Sequence, residues 1–336
     1  MRRRTLLGLL AAASAAAPAR AQNAPRRIAP SRIAFANLTD SPAPGLEGLG
    51  FSGADVRASF EFAARRLPVE MIYFDNAGDP ARAVANADAA IAARADLLIE
   101  YSADPDANAE IARRMQAAGI PVLALVHPVP GAPLYGPDNR EAGRIAGRAL
   151  GAFARDNWPD EKVLGVLIGD LADPTEAVNE RARGIAEGAH ESLPGLDFAP
   201  LDTGGQPVRA DAMLTRFLLA RRDSRMLVAT LDDVAAIYAR NAVELNRRQS
   251  DVVIASQGLD PHIHGGMNEK KEIDANNRGS VVLGSVAYFM DRYGYDVLPI
   301  ALRMLAGQTV PPVTRTQHVL VGAANIFKIY PPFDIN

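Results

Sequence analysis

The sequence predicts an α/β protein of two doubly wound lobes, each a parallel sheet with helices on both faces. Three observations carry that expectation. Short β-branched runs alternate with longer stretches of helical apolar spacing. A Pro- and Gly-rich link, Pro128 to Pro137, interrupts the alternation. The same grammar then starts again over a stretch of similar size, with no repeat at shorter period.

In the first stretch, Arg32 to Asn37 reads as a strand, and a helix from about Ala54 to Arg66 carries Val56, Phe60 and Ala63 on one face. Val69 to Phe74 is the next strand. Asp79-Pro80 opens a helix, with Asp as N-cap and Pro at the first helical position, where its missing N–H does no harm. Asp104-Pro105 repeats the device after strand Leu97 to Glu100, and Gly119-Ile120-Pro121 ends that helix before strand Val122 to Val126. Successive strand–helix steps imply right-handed crossovers and a parallel sheet. In the second stretch the order is a helix from Asp138 to about Asn157, strand Val163 to Ile168 and helix Glu176 to Glu191. A short strand near Leu196 to Phe198, helix Ala210 to Arg222, strand Met226 to Thr230, helix Asp233 to Arg247 and strand Val252 to Ala255 complete it.

Residues 1–21 read as a cleavable export signal. Arg2, Arg3 and Arg4 form a positive n-region, Leu6 to Ala17 is apolar, and Ala19-Arg20-Ala21 offers a small-x-small cleavage site before Gln22. Arg3-Arg4 followed by Thr5-Leu6-Leu7 resembles a twin-arginine signal; a Sec signal that carries arginines is the alternative. The apolar run is too short to span a bilayer, and without cysteine there is no thiol for a lipid anchor. The expected location is the periplasm.

Composition narrows the function. The chain has 36 basic and 39 acidic side chains, a net charge of -3, and removal of a leader holding four arginines and no acid makes it more acidic. With no basic block, nucleic acid is not an expected partner. Lack of cysteine excludes disulfides, thiolate nucleophiles and Cys-ligated zinc. No Gly-x-Ser-x-Gly elbow, phosphate-binding Gly-x-x-x-x-Gly-Lys loop or dinucleotide-binding Gly-x-Gly-x-x-Gly after a strand is present. His262-x-His264 lacks a third ligand nearby in sequence and reads as a polar loop, so no metal and no cofactor are expected. The chain does not read as an enzyme.

The segment Ile120 to Leu125, then Pro137-Asp138-Asn139 before a Gly- and Ala-rich helix, resembles the ribose- and galactose-type periplasmic binding proteins. So do Glu180 to Gly184, Leu227 to Asp233, Gly284 to Tyr288 with Tyr293-Gly294, and Leu305 to Gln308, in the family's order over nearly the whole mature chain. The resemblance implies the type I fold of two Rossmann-like lobes joined by a three-segment hinge. The crossings are expected near Tyr135 to Pro137, at Tyr288 and Phe289, and at Pro311 to Thr314. The first lobe is then 30–136 plus 289–312, and the second 137–288 plus 313–336. Implied function is capture of a sugar, polyol or related polar metabolite by a monomer that delivers it to an ABC transporter permease. A sensory module presenting ligand to a receptor is the alternative of another class; a periplasmic enzyme on the same scaffold is the third.

Ligands of parallel sheets bind beyond the carboxyl ends of the strands, which nominates Asp40, Glu100, Ser102, His127, Asp170, Asp232 and Gln257. The loop Pro42 to Gly53 is long for a ribose binder, and Phe51 is expected to fold over the cleft. Tyr135 and Tyr288 stand at crossings, where a ring can touch ligand. Arg181 matches the arginine that donates to sugar hydroxyls in the relatives; a helix-surface arginine paired with Glu180 or Glu176 is the plainer reading. Val126 and His127 replace an Asp-Arg pair, Leu231 an asparagine and Gln257 an aspartate, which argues against a common aldose while the scaffold is kept. Asp232 can also serve simply as a helix cap.

Overall fold

The computed structural model describes residues 30–172, 176–264, 272–273 and 280–330. The signal read in residues 1–21 lies outside them. In chain order the first lobe is built from β1 (Ser31–Asn37), α1 (Gly53–Ala64), β2 (Val69–Asp75), α2 (Pro80–Ala92), β3 (Leu97–Glu100), α3 (Pro105–Ala118), β4 (Val122–Leu125) and β5 (Leu134–Gly136). The second follows with α4 (Asn139–Asn157), β6 (Val163–Gly169), α5 (Glu176–His190), β7 (Phe198–Asp202), α6 (Arg209–Ala220), β8 (Arg225–Thr230), α7 (Asp233–Leu245), β9 (Val252–Gly258), α8 (Pro261–His264) and β10 (Val282–Ala287). The chain then returns as α9 (Tyr293–Leu305) and β11 (Val313–Arg315) before β12 (Leu320–Val321) and α10 (Ile326–Ile329).

Two six-stranded sheets result, ordered β11-β5-β4-β3-β1-β2 and β12-β10-β9-β8-β6-β7. Their pairings are parallel except β10 with β12. The period of two sorts each strand's side chains: Ile33 and Phe35 enter one core with Leu97, Ile99 and Leu123, while Ala34 and Ala36 enter another under α2 and α3. Both Asp-Pro helix starts form as the residues predict. Asp79 accepts from Ala81 N and Asp104 from Ala107 N.

Three details differ from the sequence reading. The link 128–137 contains β5, which pairs with β4 and β11. Because β11 pairs with β5, Val313–Arg315 belongs to the first sheet, and the last crossing follows Arg315 rather than falling at Pro311 to Thr314. The short strand near Leu196 is β7, starting at Phe198; as an edge strand it tolerates Pro200, which has no N–H for the ladder.

Glycines set the approach of α4 and α5. A Cβ at Gly147 would lie 2.0 Å from Ile185 O, and one at Gly184 would lie 2.0 Å from Arg140 O, so the two backbones touch. That contact brings the N-terminal ends of both helices together, with Asn139 on one and Arg181 on the other.

Candidate functional site

The strand carboxyl ends of the two sheets face each other across a cleft of about 580 Å³. Its walls come from the loop after β1 (Glu47, Leu49), the turn after β4 (Val126, His127, Pro128), the starts of α4 and α5, and the hinge residues Tyr288, Met290 and Tyr293. Two of its wall residues have left-handed backbone. Glu47 (φ 56) and Val126 (φ 65) are non-glycine residues in the left-handed region, as is Phe289 (φ 51) at the second crossing. For β-branched Val126 this is a costly conformation that only its surroundings can hold.

Of the residues nominated from sequence, His127, Arg181 and Tyr288 line the cleft. Arg181 is 1% exposed, and its fork is engaged within the protein. Nε donates to Asn139 Oδ1 (2.9 Å), Nη1 to Leu231 O (3.3 Å) and Nη2 to Glu47 O of the other lobe (2.8 Å). The surface pairing with Glu180 is not formed; Glu180 pairs with Arg183 and Arg140 instead. The Tyr288 hydroxyl lies 3.0 Å from Gln257 Oε1 and 3.2 Å from Asn139 Oδ1, its ring 5.3 Å below the Arg181 guanidinium. Burial, partly offset by Arg181, pushes its pKa up to about 12, so it serves as a neutral donor.

The other nominees do not line the cleft. Phe51 is fully buried in the first core, because the loop folds back on itself, with Gly45 and Leu46 N–H donating to Phe51 O, and Leu46, Leu49 and Phe51 enter the core together. Tyr135 is buried too, and its hydroxyl donates to Asp296 (2.6 Å). Asp40 pairs with Arg57 and accepts from Asn37 Nδ2. Glu100 lies on the face of β3 covered by α2 and α3 and accepts from Asn76 Nδ2 (2.9 Å); burial raises its pKa to about 8. Ser102 lines a separate cavity of about 240 Å³ between the starts of α2 and α3. Asp170 lies beyond β6 outside the cleft lining, near Gly205. Gln257 is fully buried behind Tyr288. Asp232 caps α7 through Ala235 N (2.7 Å), the plainer of its two readings, and burial raises its pKa to about 6.

Sequence reasoning missed Glu47 and Asn139. The loop holding Glu47 was singled out for its length, but for Phe51; Asn139 stood in the quoted Pro-Asp-Asn motif. Oε1 of Glu47 accepts from Tyr101 Oη and from His127 Nε2, each at 2.8 Å. Burial works to raise its pKa, yet His127, Tyr101 and Arg181 together hold it below the usual carboxylate value. Of the two histidines considered as a metal pair, His262 contacts Asp260 through Nδ1 (3.2 Å), while the ring of His264 stacks on Tyr330.

Two parallel-sheet lobes, three crossings and a polar cleft at the strand ends define a hinged small-molecule binding protein. The sequence profile of the periplasmic binding protein domain matches residues 51–309, and the chain belongs to that family. No curated protein sequence matches it. Among solved structures it is similar to a Mycobacterium smegmatis ABC transporter solute-binding protein with bound glycerol (19% identity, 90% of this chain and 97% of that one, TM-score 0.66). It is also similar to an Actinobacillus succinogenes periplasmic solute-binding protein with bound D-allose (17%, 89% and 100%, TM-score 0.66). A third is a Bacillus halodurans solute-binding protein with bound myo-inositol (19%, 89% and 96%, TM-score 0.62).

Proposed function

We propose that the chain captures a small polyhydroxylated solute in the interlobe cleft and delivers it, as a non-catalytic monomer, to an ABC-type importer. The observation that carries this reading is the cleft itself. Neutral and charged hydrogen-bonding groups from both lobes (Glu47 and His127 from one, Asn139 and Arg181 from the other) converge beside the tyrosine rings of the hinge. Glycerol, D-allose and myo-inositol in relatives of the same fold support the ligand class. His127, with an exposed side-chain edge in the cleft wall, is the nominated residue that would touch ligand directly. The fully buried Tyr288 braces Asn139 and Arg181 behind the wall. Arg181 acts on the ligand through closure, and the lobes divide at the crossings after β5, β10 and β11. Export to the periplasm rests on the basic and apolar leader, and fractionation of cells expressing the full chain tests it.

A thermal-shift screen of the mature protein against sugars, polyols, organic acids and nucleosides tests the function. A ligand at 100 times its Kd raises stability by about 2.7 kcal/mol. A polyhydroxylated compound should give such a shift without being consumed. Turnover of the bound compound, or a shift from nucleosides alone, would end the capture reading.

A further inference from the structure

Glu47 stands at the tip of a loop that the first lobe extends into the cleft. Its left-handed backbone (φ 56, ψ 27) is held by three donors: Tyr101 Oη and His127 Nε2 on the side chain, and Arg181 Nη2 from the other lobe on the carbonyl. Both side-chain donors use Oε1. Among the described residues no donor reaches Oε2, and that oxygen is not among the buried unpartnered atoms. With the side chain 16% exposed and lining the cleft, Oε2 is a fixed acceptor that faces the ligand space.

The arginines around it already have partners within the protein. Arg181 serves Asn139, Leu231 and Glu47; Arg140 serves Glu187; Arg315 donates to Pro137 O. A ligand carboxylate at Oε2 would therefore meet an ionised, fixed carboxylate whose nearest guanidinium, Arg181, is already engaged. A hydroxyl would meet a charged acceptor already oriented, which is the stronger kind of hydrogen bond.

Resting on the capture reading above, we infer that Glu47 is a specificity-determining residue. Its Oε2 accepts a hydrogen bond from a hydroxyl of a neutral sugar or polyol, and its charge refuses the corresponding sugar acids. This is discrimination by an introduced repulsion as well as by an attraction.

Isothermal titration of the wild type, Glu47→Gln and Glu47→Asp with two matched series tests it: D-allose, D-galactose, D-glucose and myo-inositol against D-galacturonate and D-gluconate. The wild type should bind a neutral member and none of the acids. Glu47→Gln should bind that neutral compound about tenfold or more weakly, as expected for loss of a charged hydrogen bond, and should gain measurable affinity for an acid. Glu47→Asp keeps the charge and shortens the reach, so it should weaken the neutral ligand yet still refuse acids. Wild-type binding of an acid as tight as its neutral partner would overturn the inference, as would unchanged neutral binding by Glu47→Gln. In either case the capture reading stands. If no member of the neutral series binds the wild type, the inference falls, and the broader screen of sugars and polyols above decides the capture reading separately.

Discussion

Gly50 offers a direct test of how the lobes meet. It belongs to the first-lobe loop between buried Leu49 and Phe51, and it faces Asp260, which follows β9 in the second lobe. A Cβ at residue 50 would lie 1.6 Å from Asp260 Oδ2 and 2.2 Å from its Cγ, far inside contact distance. Asp260 cannot simply swing away. It is fully buried, its Oδ1 accepts from His262 N (2.8 Å), and its own N–H donates to Asp233 Oδ2 (2.9 Å). The clash exists only while the lobes are together, so Gly50→Ala should destabilise the closed form and leave each lobe intact. An overpacking cost of about 2 kcal/mol corresponds to roughly 30-fold weaker ligand binding, if binding requires closure. Double electron–electron resonance between one spin label on each lobe should show the variant shifted to longer distances, with the cooperativity of unfolding unchanged. Asp260→Gly removes the atoms that collide, and the double variant should regain the short distance. A Gly50→Ala protein that closes like the wild type, or a double variant that stays open, would show that these two residues do not meet on closure.

Other expectations follow from buried groups. Arg181→Ala strands three acceptors and should destabilise the protein by about 3 kcal/mol in urea unfolding; unchanged stability would mean the guanidinium is solvated instead. His318, in the third crossing, accepts from Asp138 N through Nε2 (3.0 Å) and donates through Nδ1 to Ala287 O (2.8 Å), so it is held neutral, and burial lowers its pKa. Asp138, Glu141 and Arg181 are the charges around it. Below about pH 6.5 the unfolded chain gains a proton that the folded chain refuses, so stability should fall with pH there, and His318→Gln should flatten that fall. Glu100 has the opposite sign. Its folded pKa of about 8 lies above the model-peptide value, so its contribution is lost as pH rises from near 4.5 to 8 and is constant above; Glu100→Gln should gain stability over the wild type at pH 8 but not at pH 4.

Most of the fold was legible because local rules and tertiary structure agree. Asp-Pro at two helix starts, Gly-Ile-Pro at the end of the second of those helices and clean strand runs each dictate the same answer at short range. What failed needed distant partners. Leu134–Gly136 has no strand signature among its prolines and becomes β5 because two neighbouring strands leave it a place in the ladder. Val313–Arg315 follows two prolines and joins the first sheet for the same reason, which no periodicity within three residues could reveal.

The site was legible to the extent that position along a strand decides it. His127, after β4, reaches the cleft because the carboxyl ends of parallel strands converge there, while Tyr288 comes from the crossing that the family resemblance implies. The same rule nominated Glu100 and Gln257, and it cannot tell which way a side chain at a strand end turns. Glu100 turns with Leu98 toward the helices α2 and α3, where Asn76 is its partner, and Gln257 turns behind Tyr288. The loop presented a different difficulty. Phe51, its bulkiest residue, is the one that the core claims, while Glu47, charged and without a helical or strand pattern, is the one left facing the cleft. An ionised side chain in a left-handed backbone is unfavourable in isolation. It persists here because Tyr101, His127 and Arg181 come from three separate parts of the chain to hold it, and a constraint supplied from across the fold leaves no mark in the local sequence. The same three contacts make Arg181 a residue of closure. Its Nη2 reaches the other lobe only when Glu47 is seated, so substitution of Arg181 should weaken every ligand alike, whereas substitution of Glu47 should reorder them.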